Sequence, residues 1–326
     1  SAVILSRTAY RISFFGGSTD YPSWFREHGG AVLAGTIDRY CHVSARWLPP
    51  FFPHKSRIVW SKIELVKDRS EIEHQAVRAA LEMLGIEDGV EIHHDGDLPA
   101  RSGIGSSSAF AVGLLHALHA LKGEFVGPER LAEEATRLED EWLHEPVGRQ
   151  DQILCALGGL RLITWEPGGA WRADPVPLAP GILRAFEERL LLVYTGPRRD
   201  GVAPVLPVGK NAAALTRIQE MPRWGAECLA DGDWDEFGDL LENAWWEKRG
   251  LAPGIITPEM DVLYGRLKHA GATALKCCGA GGGGFLLVYA DPDRWGSILR
   301  ALDGRVTVPV RFAGRGSELI HYGAER

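Results

Sequence analysis

The stretch Asp97–Phe110, DLPARSGIGSSSAF, sets two glycines and three consecutive serines between a proline and a long apolar run. Its residues admit two uses. A helix N-terminus leaves backbone N–H groups unpaired and carries partial positive charge, so phosphate oxygens fit there. Glycine at 103 and 105 removes the Cβ atoms that would block close approach. The hydroxyls of Ser106, Ser107 and Ser108 can donate to phosphate or ligate Mg²⁺. The other use is a tight turn with a serine-capped helix start. No Gly-Lys-Ser/Thr follows the glycines, so this is not a Walker A loop, and no Gly-x-Gly-x-x-Gly opens it as in a dinucleotide fingerprint.

The 326 residues exceed one ordinary domain of ~100–200 residues and predict two. The Pro- and Gly-rich run EPGGAWRADPVPLAPG (166–181) reads as the linker, giving domains 1–170 and 171–326. Hydrophobic residues at 45% and charged residues at 24% are the proportions of a soluble globular protein. No run of ~18 apolar residues predicts a membrane span. The N-terminal SAVILSRTAYRISFF is interrupted by Arg7 and Arg11 and reads as a strand pair, not a signal peptide. The net charge is −7 and the basic residues are dispersed, which excludes a nucleic-acid-binding surface. Five cysteines with no C-x-x-C pair argue against a disulfide framework or zinc site. The vicinal Cys277–Cys278 reads as two small core residues, and the whole as a reduced, cytoplasmic protein.

Periodicity predicts strands at 2–15, 40–46 and 57–66, a helix at 71–85 and a short strand at 89–99. Residues 106–121 are apolar nearly all round and predict a buried helix. A helix over 128–145 and a helix broken at Gly158–Gly159 into a strand complete the first half. The second half alternates a strand at 189–196, helices near 210–230, 233–249 and 258–270, two strands about a glycine loop, and a helix and strand near 292–312. This is an α+β pattern around an antiparallel sheet.

Two further stretches favour the phosphate reading of the opening one. KCCGAGGGGFL (276–286) puts five glycines in six positions, where a plain hairpin needs one or two. AYRISFFGGSTDY (9–21) offers a strand arginine, a double glycine and an aspartate in succession.

Together these three stretches resemble, in order, the three motifs of the GHMP kinases, the superfamily of galactokinase, homoserine kinase and mevalonate kinase. PARSGIGSSSAF (99–110) is similar to its Pro-x-x-x-Gly-Leu-Gly-Ser-Ser-Ala loop, with Ile104 for leucine and an extra serine, Ser108. AYRISFFGGSTDYPSWFREHGGAVL (9–33), LPPFFPHKSRIVWSK (48–62) and VGRQDQILCALGGL (147–160) look like the D-glycero-D-manno-heptose 7-phosphate kinases, except that Ser18 replaces their usual third glycine. The resemblance implies a two-domain fold, with an N-terminal domain like ribosomal protein S5 domain 2, a C-terminal ferredoxin-like plait, and the active site in the cleft between them. It implies ATP and Mg²⁺ and a sugar or sugar-phosphate acceptor, and it allows a homodimer. An anomeric kinase of a fucose or galactose type, or a catalytically silent nucleotide and sugar sensor, are the alternatives it leaves.

Residue by residue, the resemblance places the nucleotide against Pro99, Gly103, Ile104, Gly105, Ser106, Ser107, Ser108, Gly281 and Gly282. Asp151 matches the acidic residue at the sugar hydroxyl, although GRQDQILCAL also permits a helix N-cap there. Arg11 matches the neighbouring cation. Ser107 matches the metal-binding serine and Glu139 the carboxylate, with Asp140 and Glu141 adjacent to it. Gly17, Ser18, Asp20 and His28 fall where the sugar would bind. Arg198, Arg199, Lys248 and Arg249 are the cations available for a 7-phosphate, although Lys248 and Arg249 also suit a helix C-terminus.

Overall fold

In the computed structural model, which describes residues 3–198 and 208–323, the N-terminal run is a single strand, β1 (Ile4–Phe15), and not the expected pair. A short helix, α1 (Pro22–His28), opened by proline, leads into β2 (Gly30–Trp47). Next come β3 (Ser56–Val59), β4 (Ile63–Val66), α2 (Gln75–Met83) and β5 (Val90–Gly96). The first half closes with α3 (Ser106–Leu121), α4 (Pro128–Arg137), α5 (Gln150–Leu157), β6 (Leu160–Trp165) and β7 (Trp171–Pro175). The second half runs α6 (Pro180–Glu187), β8 (Leu190–Tyr194), α7 (Val208–Asp231), α8 (Trp234–Arg249) and α9 (Pro258–His269). It ends with β9 (Ala274–Cys277), β10 (Phe285–Tyr289), α10 (Trp295–Ala301), β11 (Thr307–Pro309) and β12 (Ser317–Tyr322).

The strands form an eight-stranded sheet, β12-β1-β2-β5-β3-β4 with β6 and β7 branching from β2, and a four-stranded antiparallel sheet, β11-β8-β10-β9. Strand β2 is long because it serves two partners on one edge: Gly30–Gly35 pairs with β6, and Cys41–Trp47 with β5. The β1–β2 register shifts between Ala9 and Arg11, a bulge that re-aims the strand as it reaches Arg11. Helix α3 is buried on nearly every face, as its composition demands, and lies against β1 and β2. Gly113 permits that approach, because a Cβ there would meet the Thr8 hydroxyl at 2.8 Å. The two sheets share a core, and a second buried cluster including Trp24, Trp245 and Leu286 lies beside it. Phe14 and Phe15 of β1 pack on Phe186 and Phe237 at ring separations of 5.3 Å.

Three expectations need correction. The run 166–181 is not a free linker: Trp171–Pro175 is β7, paired antiparallel with β6, so a boundary at 170/171 falls inside a hairpin. The segment 171–326 also returns a second strand to the first sheet, since β12 pairs with β1. Finally, the helix expected over 128–145 ends at Arg137. It continues as a wider turn at Leu138–Trp142, closed by Leu143 N–H donating to the Leu138 carbonyl five residues back. Wide turns of this kind often mark functional sites, and Glu139 lies in this one.

Candidate active site

The stretch DLPARSGIGSSSAF forms the connection from β5 into α3. Its helix starts after Gly105, which has φ +73°, and no side chain caps it. The serines therefore do not cap the helix start. Ser106 Oγ accepts from Arg101 N–H, Ser107 is exposed, and Ser108 is buried. Pro99 anchors the loop by its carbonyl, which accepts from Ser102 Oγ at 2.6 Å. Ile104 plugs its side chain into the core, and its carbonyl accepts from Arg11 N–H at 2.9 Å.

The second glycine loop presses backbone to backbone on the first. A Cβ on Gly103 would lie 2.2 Å from the Cys278 carbonyl oxygen, and one on Gly284 would lie 2.4 Å from that of Ser102. Phe285 N–H donates to the Ser102 carbonyl at 3.0 Å. The two loops thus share one face, and Gly279 and Gly284 are the glycines that meet the first loop. Gly281 and Gly282 do not. Gly282 N–H donates to the Ile255 carbonyl, and Gly281 abuts the same residue. The pattern of five glycines signals a crowded backbone without saying which glycine faces which neighbour.

Arg11 and Asp151 are brought together behind Gly105. Arg11 Nε donates to Asp151 Oδ1 at 2.6 Å, Nη2 to Oδ2 at 2.9 Å and Nη1 to the Gly103 carbonyl at 2.6 Å. Arg11 is buried, which alone would lower its pKa, but Asp151 outweighs burial and raises it. Asp151 sits in the first turn of α5, whose cap position is Arg149, so it is not the helix cap.

Asp20 is buried, accepting from Ser18 N–H at 3.0 Å and Gln150 N–H at 3.2 Å. Burial, then Asp151, raises its pKa. It ties the N-terminal motif to the start of α5. Gly148, which sequence reasoning missed, makes room for it: a Cβ there would fall 2.1 Å from Asp20 Oδ2. Ser18 has φ +82°, the region that favours glycine, which accounts physically for the glycine usual at this place.

Among the described residues neither carboxylate oxygen of Glu139 has a hydrogen-bond partner of good geometry, and burial pushes its pKa up to about 8. The polar groups acting on it include Ser108, Asp151 and Gln152. An orphaned, buried carboxylate beside a serine-lined helix start fits a hard divalent cation that completes its shell with phosphate oxygens and water. Ser108 is the serine beside Glu139, whereas Ser107 faces solvent. Among the described residues no group of three or more His, Cys, Asp or Glu side chains forms a metal cluster.

The remaining expected contacts are engaged elsewhere, although Lys248 lies close enough to feel the charges of Arg11 and Asp20. His28 stacks on Trp24 with ring centroids 4.0 Å apart, and its Nδ1 lies 3.2 Å from the Trp24 carbonyl. Arg249 pairs with Asp261 at 3.1 Å and lies over the Trp246 ring, so it is not free for a phosphate pocket. Lys248 is spent on the second glycine loop: its Nζ donates to the carbonyls of Cys277 and Gly279. Burial lowers its pKa. Arg198 lies against Gly283, and Arg199 falls outside the described residues. Sequence reasoning also missed Lys276, at the head of the quoted glycine motif. Buried in β9, it donates to the carbonyls of Ser13 and Phe14 across the sheets. Two open concavities, of about 630 and 690 Å³, lie away from the cluster, one lined by Glu129 and Trp171 and the other by residues around Phe52 and Lys67.

Two family models match the chain: GHMP kinases N terminal domain over residues 71–159 and GHMP kinases C terminal over 226–306, together just over half of its length. The chain is 23% identical to a D-glycero-alpha-D-manno-heptose 7-phosphate kinase of Campylobacter jejuni, covering 92% of this chain and 93% of that protein. It is 27% identical to the bifunctional fucokinase/GDP-fucose pyrophosphorylase of Arabidopsis thaliana over 86% of this chain but only 29% of that longer protein. Among solved structures it resembles a D-glycero-D-manno-heptose 1-phosphate kinase from Bacteroides thetaiotaomicron, with TM-score 0.79, 22% identity and coverage of 96% and 97%. It also resembles Lactococcus lactis galactokinase complexed with galactose, with TM-score 0.75, 17% identity and coverage of 98% and 95%. No helix among the described residues is long and apolar enough to cross a membrane.

Proposed function

The chain belongs to the GHMP kinases and is a phosphotransferase, and from that premise we propose that it transfers the γ-phosphoryl group of ATP to the anomeric hydroxyl of D-glycero-D-manno-heptose 7-phosphate. The product is the 1,7-bisphosphate, which feeds nucleotide-heptose and surface-polysaccharide synthesis. The observation that carries this reading is the Arg11–Asp151 pair held behind Gly105, at the uncapped start of α3. Phosphoryl transfer needs positioning and charge neutralisation more than covalent help. The backbone N–H groups at the start of α3 receive the donor phosphates. Arg11 offsets charge on the moving phosphoryl group. Asp151 aligns the acceptor hydroxyl and is placed to take its proton. When bound, Mg²⁺ supplies further charge neutralisation on the donor phosphates, with Glu139 and a serine of the 106–108 run as its protein contacts.

The choice of sugar rests on the names of the relatives at full-length coverage and on the quoted N-terminal motif. An ADP-release assay across D-glycero-D-manno-heptose 7-phosphate, L-fucose, D-galactose and mannose 6-phosphate tests it. The heptose phosphate should give the highest kcat/KM. Preference for another sugar overturns the substrate, and failure of every sugar to release ADP overturns the sugar-kinase reading.

A further inference from the structure

Lys276 is buried in β9 of the four-stranded sheet, and its ammonium reaches across to the end of β1 in the other sheet. Nζ donates to the Ser13 carbonyl at 2.9 Å and to the Phe14 carbonyl at 2.7 Å. In a regular strand successive carbonyls point to opposite edges, so one donor does not reach both. Here the β1–β2 register shifts between Ser13 and Phe15, and the irregularity brings both carbonyls to one ammonium. The strongest electrostatic influences on that ammonium come from Lys248, Cys278, Arg11 and Cys277, none of them a carboxylate. Burial, followed by Lys248, holds its pKa well below the usual lysine value. Burying a charged group without a counter-charge costs free energy. Its neighbours Leu275 and Cys277 are apolar and fully buried, so packing alone would be met by an apolar residue at 276.

The bond lies on a closed circuit of contacts that includes the Arg11–Asp151 pair. Past Phe14, β1 runs into the turn at Gly16, where Thr19 N–H donates to the Gly16 carbonyl at 3.1 Å. Asp20 follows. Its carbonyl accepts from Arg149 N–H at 3.0 Å, and its Oδ2 accepts from Gln150 N–H at 3.2 Å. Both amides belong to the start of α5, whose first turn carries Asp151. In the other direction β9 ends at Cys277, and the next carbonyl, that of Cys278, lies against Gly103. The Gly103 carbonyl accepts from Arg11, which returns the circuit to Asp151. Lys276 joins the two arms across the sheets, as Arg11 joins them at the phosphate loop.

We infer that Lys276 is a positioning residue for phosphoryl transfer. It holds the end of β1 so that the following turn sets the start of α5, and with it Asp151, at a fixed place relative to the second glycine loop. The inference rests on the kinase reading above and adds a residue to its machinery. Lys276 acts through the carbonyls of Ser13 and Phe14, and then through Asp20. The need for such a link follows from where the parts are carried. The second glycine loop belongs to the four-stranded sheet, whereas α5 packs on β1 of the eight-stranded one. Transfer between groups held on the two bodies tolerates little drift, because a misplacement of ~1 Å can cost ~10²-fold in rate.

Lys276→Met in the full chain removes the donor and keeps an unbranched side chain. With the sugar that the wild type turns over best, kcat should fall roughly tenfold or more, while KM for ATP changes by less than about threefold. Leu275→Ala, a buried neighbour in the same strand, is the control. It should lower the melting temperature at least as much as Lys276→Met and leave kcat within about twofold of the wild type. An equal kcat loss in the two variants makes Lys276 a structural residue and overturns the inference, as does an unchanged kcat in Lys276→Met. Hydrogen exchange reads the link without turnover. The amides of Ser18, Thr19, Arg149 and Gln150, all bonded within this circuit, should exchange about tenfold faster or more in Lys276→Met and not in Leu275→Ala. Unchanged exchange at all four overturns the inference. If Lys276→Met fails to fold, Lys276→Gln decides by the same two readouts. If the wild type releases no ADP with any sugar, the proposed function falls, and the exchange result still upholds or overturns the link.

Discussion

Arg11 grips both oxygens of Asp151, at 2.6 and 2.9 Å, and uses its remaining nitrogen on the carbonyl of Gly103. One side chain thus couples the acceptor end of the site to the phosphate loop. Asp151→Asn keeps the size of the side chain but removes its charge and its capacity to take a proton. General-base contributions are typically ~10²–10⁴-fold, so kcat should fall at least a hundredfold while both ligands still bind. Near-normal turnover would reduce Asp151 to a structural role. Arg11→Ala should depress kcat more than ATP affinity in the same assay, since its charge is needed most as the phosphoryl group moves.

Gly103→Ala should be severe. The residue has φ +81°, and its added methyl would collide with the Cys278 carbonyl, an atom of the backbone. Gly181→Ala is the control, with nothing within 4 Å of the added carbon and no positive φ. Thermal melts should show a clear loss for the first and none for the second. Equal melting temperatures would mean that the two glycine loops are not pressed together in solution.

Ser107→Ala should leave the melting temperature unchanged, because the residue is exposed and makes no cap bond. If its hydroxyl serves the cation, the Mg²⁺ concentration for half-maximal turnover should rise severalfold. Ser108→Ala, beside Glu139, discriminates between the two serines. A shift confined to the Ser108 variant would reassign the metal contact to it.

His119 sets a pH dependence remote from the site. Its ring is buried at the end of α3, with Nδ1 2.7 Å from Glu124 and Nε2 on Glu134 of α4. Lys122 and Arg130 face the same two carboxylates. Burial alone would lower the imidazole pKa, but the two carboxylates outweigh it and hold it above 6.5. Its stabilisation is therefore complete below pH 6.5 and lost as pH rises through the folded-state value. Glu124 and Glu134 run the other way. Their pKa values are held below 4.5, Glu124 mainly by Lys122 and then His119, and Glu134 by His119 and Arg130 against burial. Their contribution is present above pH 4.5 and fades as pH falls through the lowered values. The melting temperature should be highest between these limits and drop by a few degrees on the alkaline side. His119→Gln should flatten the alkaline slope, and an unchanged slope would point to another group.

Local chemistry made much of this readable in advance. Helix α3 is marked by an apolar run that begins after Gly105 and ends before Lys122, and the structure keeps those bounds. Arg11 and Asp151 stand 140 positions apart, and only the family motifs could place them together. What escaped was set by tertiary contact. Trp171–Pro175 is rich in turn-forming neighbours, yet pairing with β6 outweighs them. Arg249 and Lys248 look like free cations at a helix end, but an aromatic face with Asp261 takes one and two carbonyls take the other. Gly148 carries no signal of its own, because its reason is the carboxylate of a residue far away in sequence.

The pairing of β12 with β1 also orders events during synthesis. Thr8 waits for Ser317, 309 positions later. At ~5–20 residues per second that interval is roughly 15–60 s. Throughout it the outer edge of β1 has no strand beside it, and an unpaired edge invites other chains. The first strand therefore stays half-paired through that interval, and closure of the large sheet waits for β12.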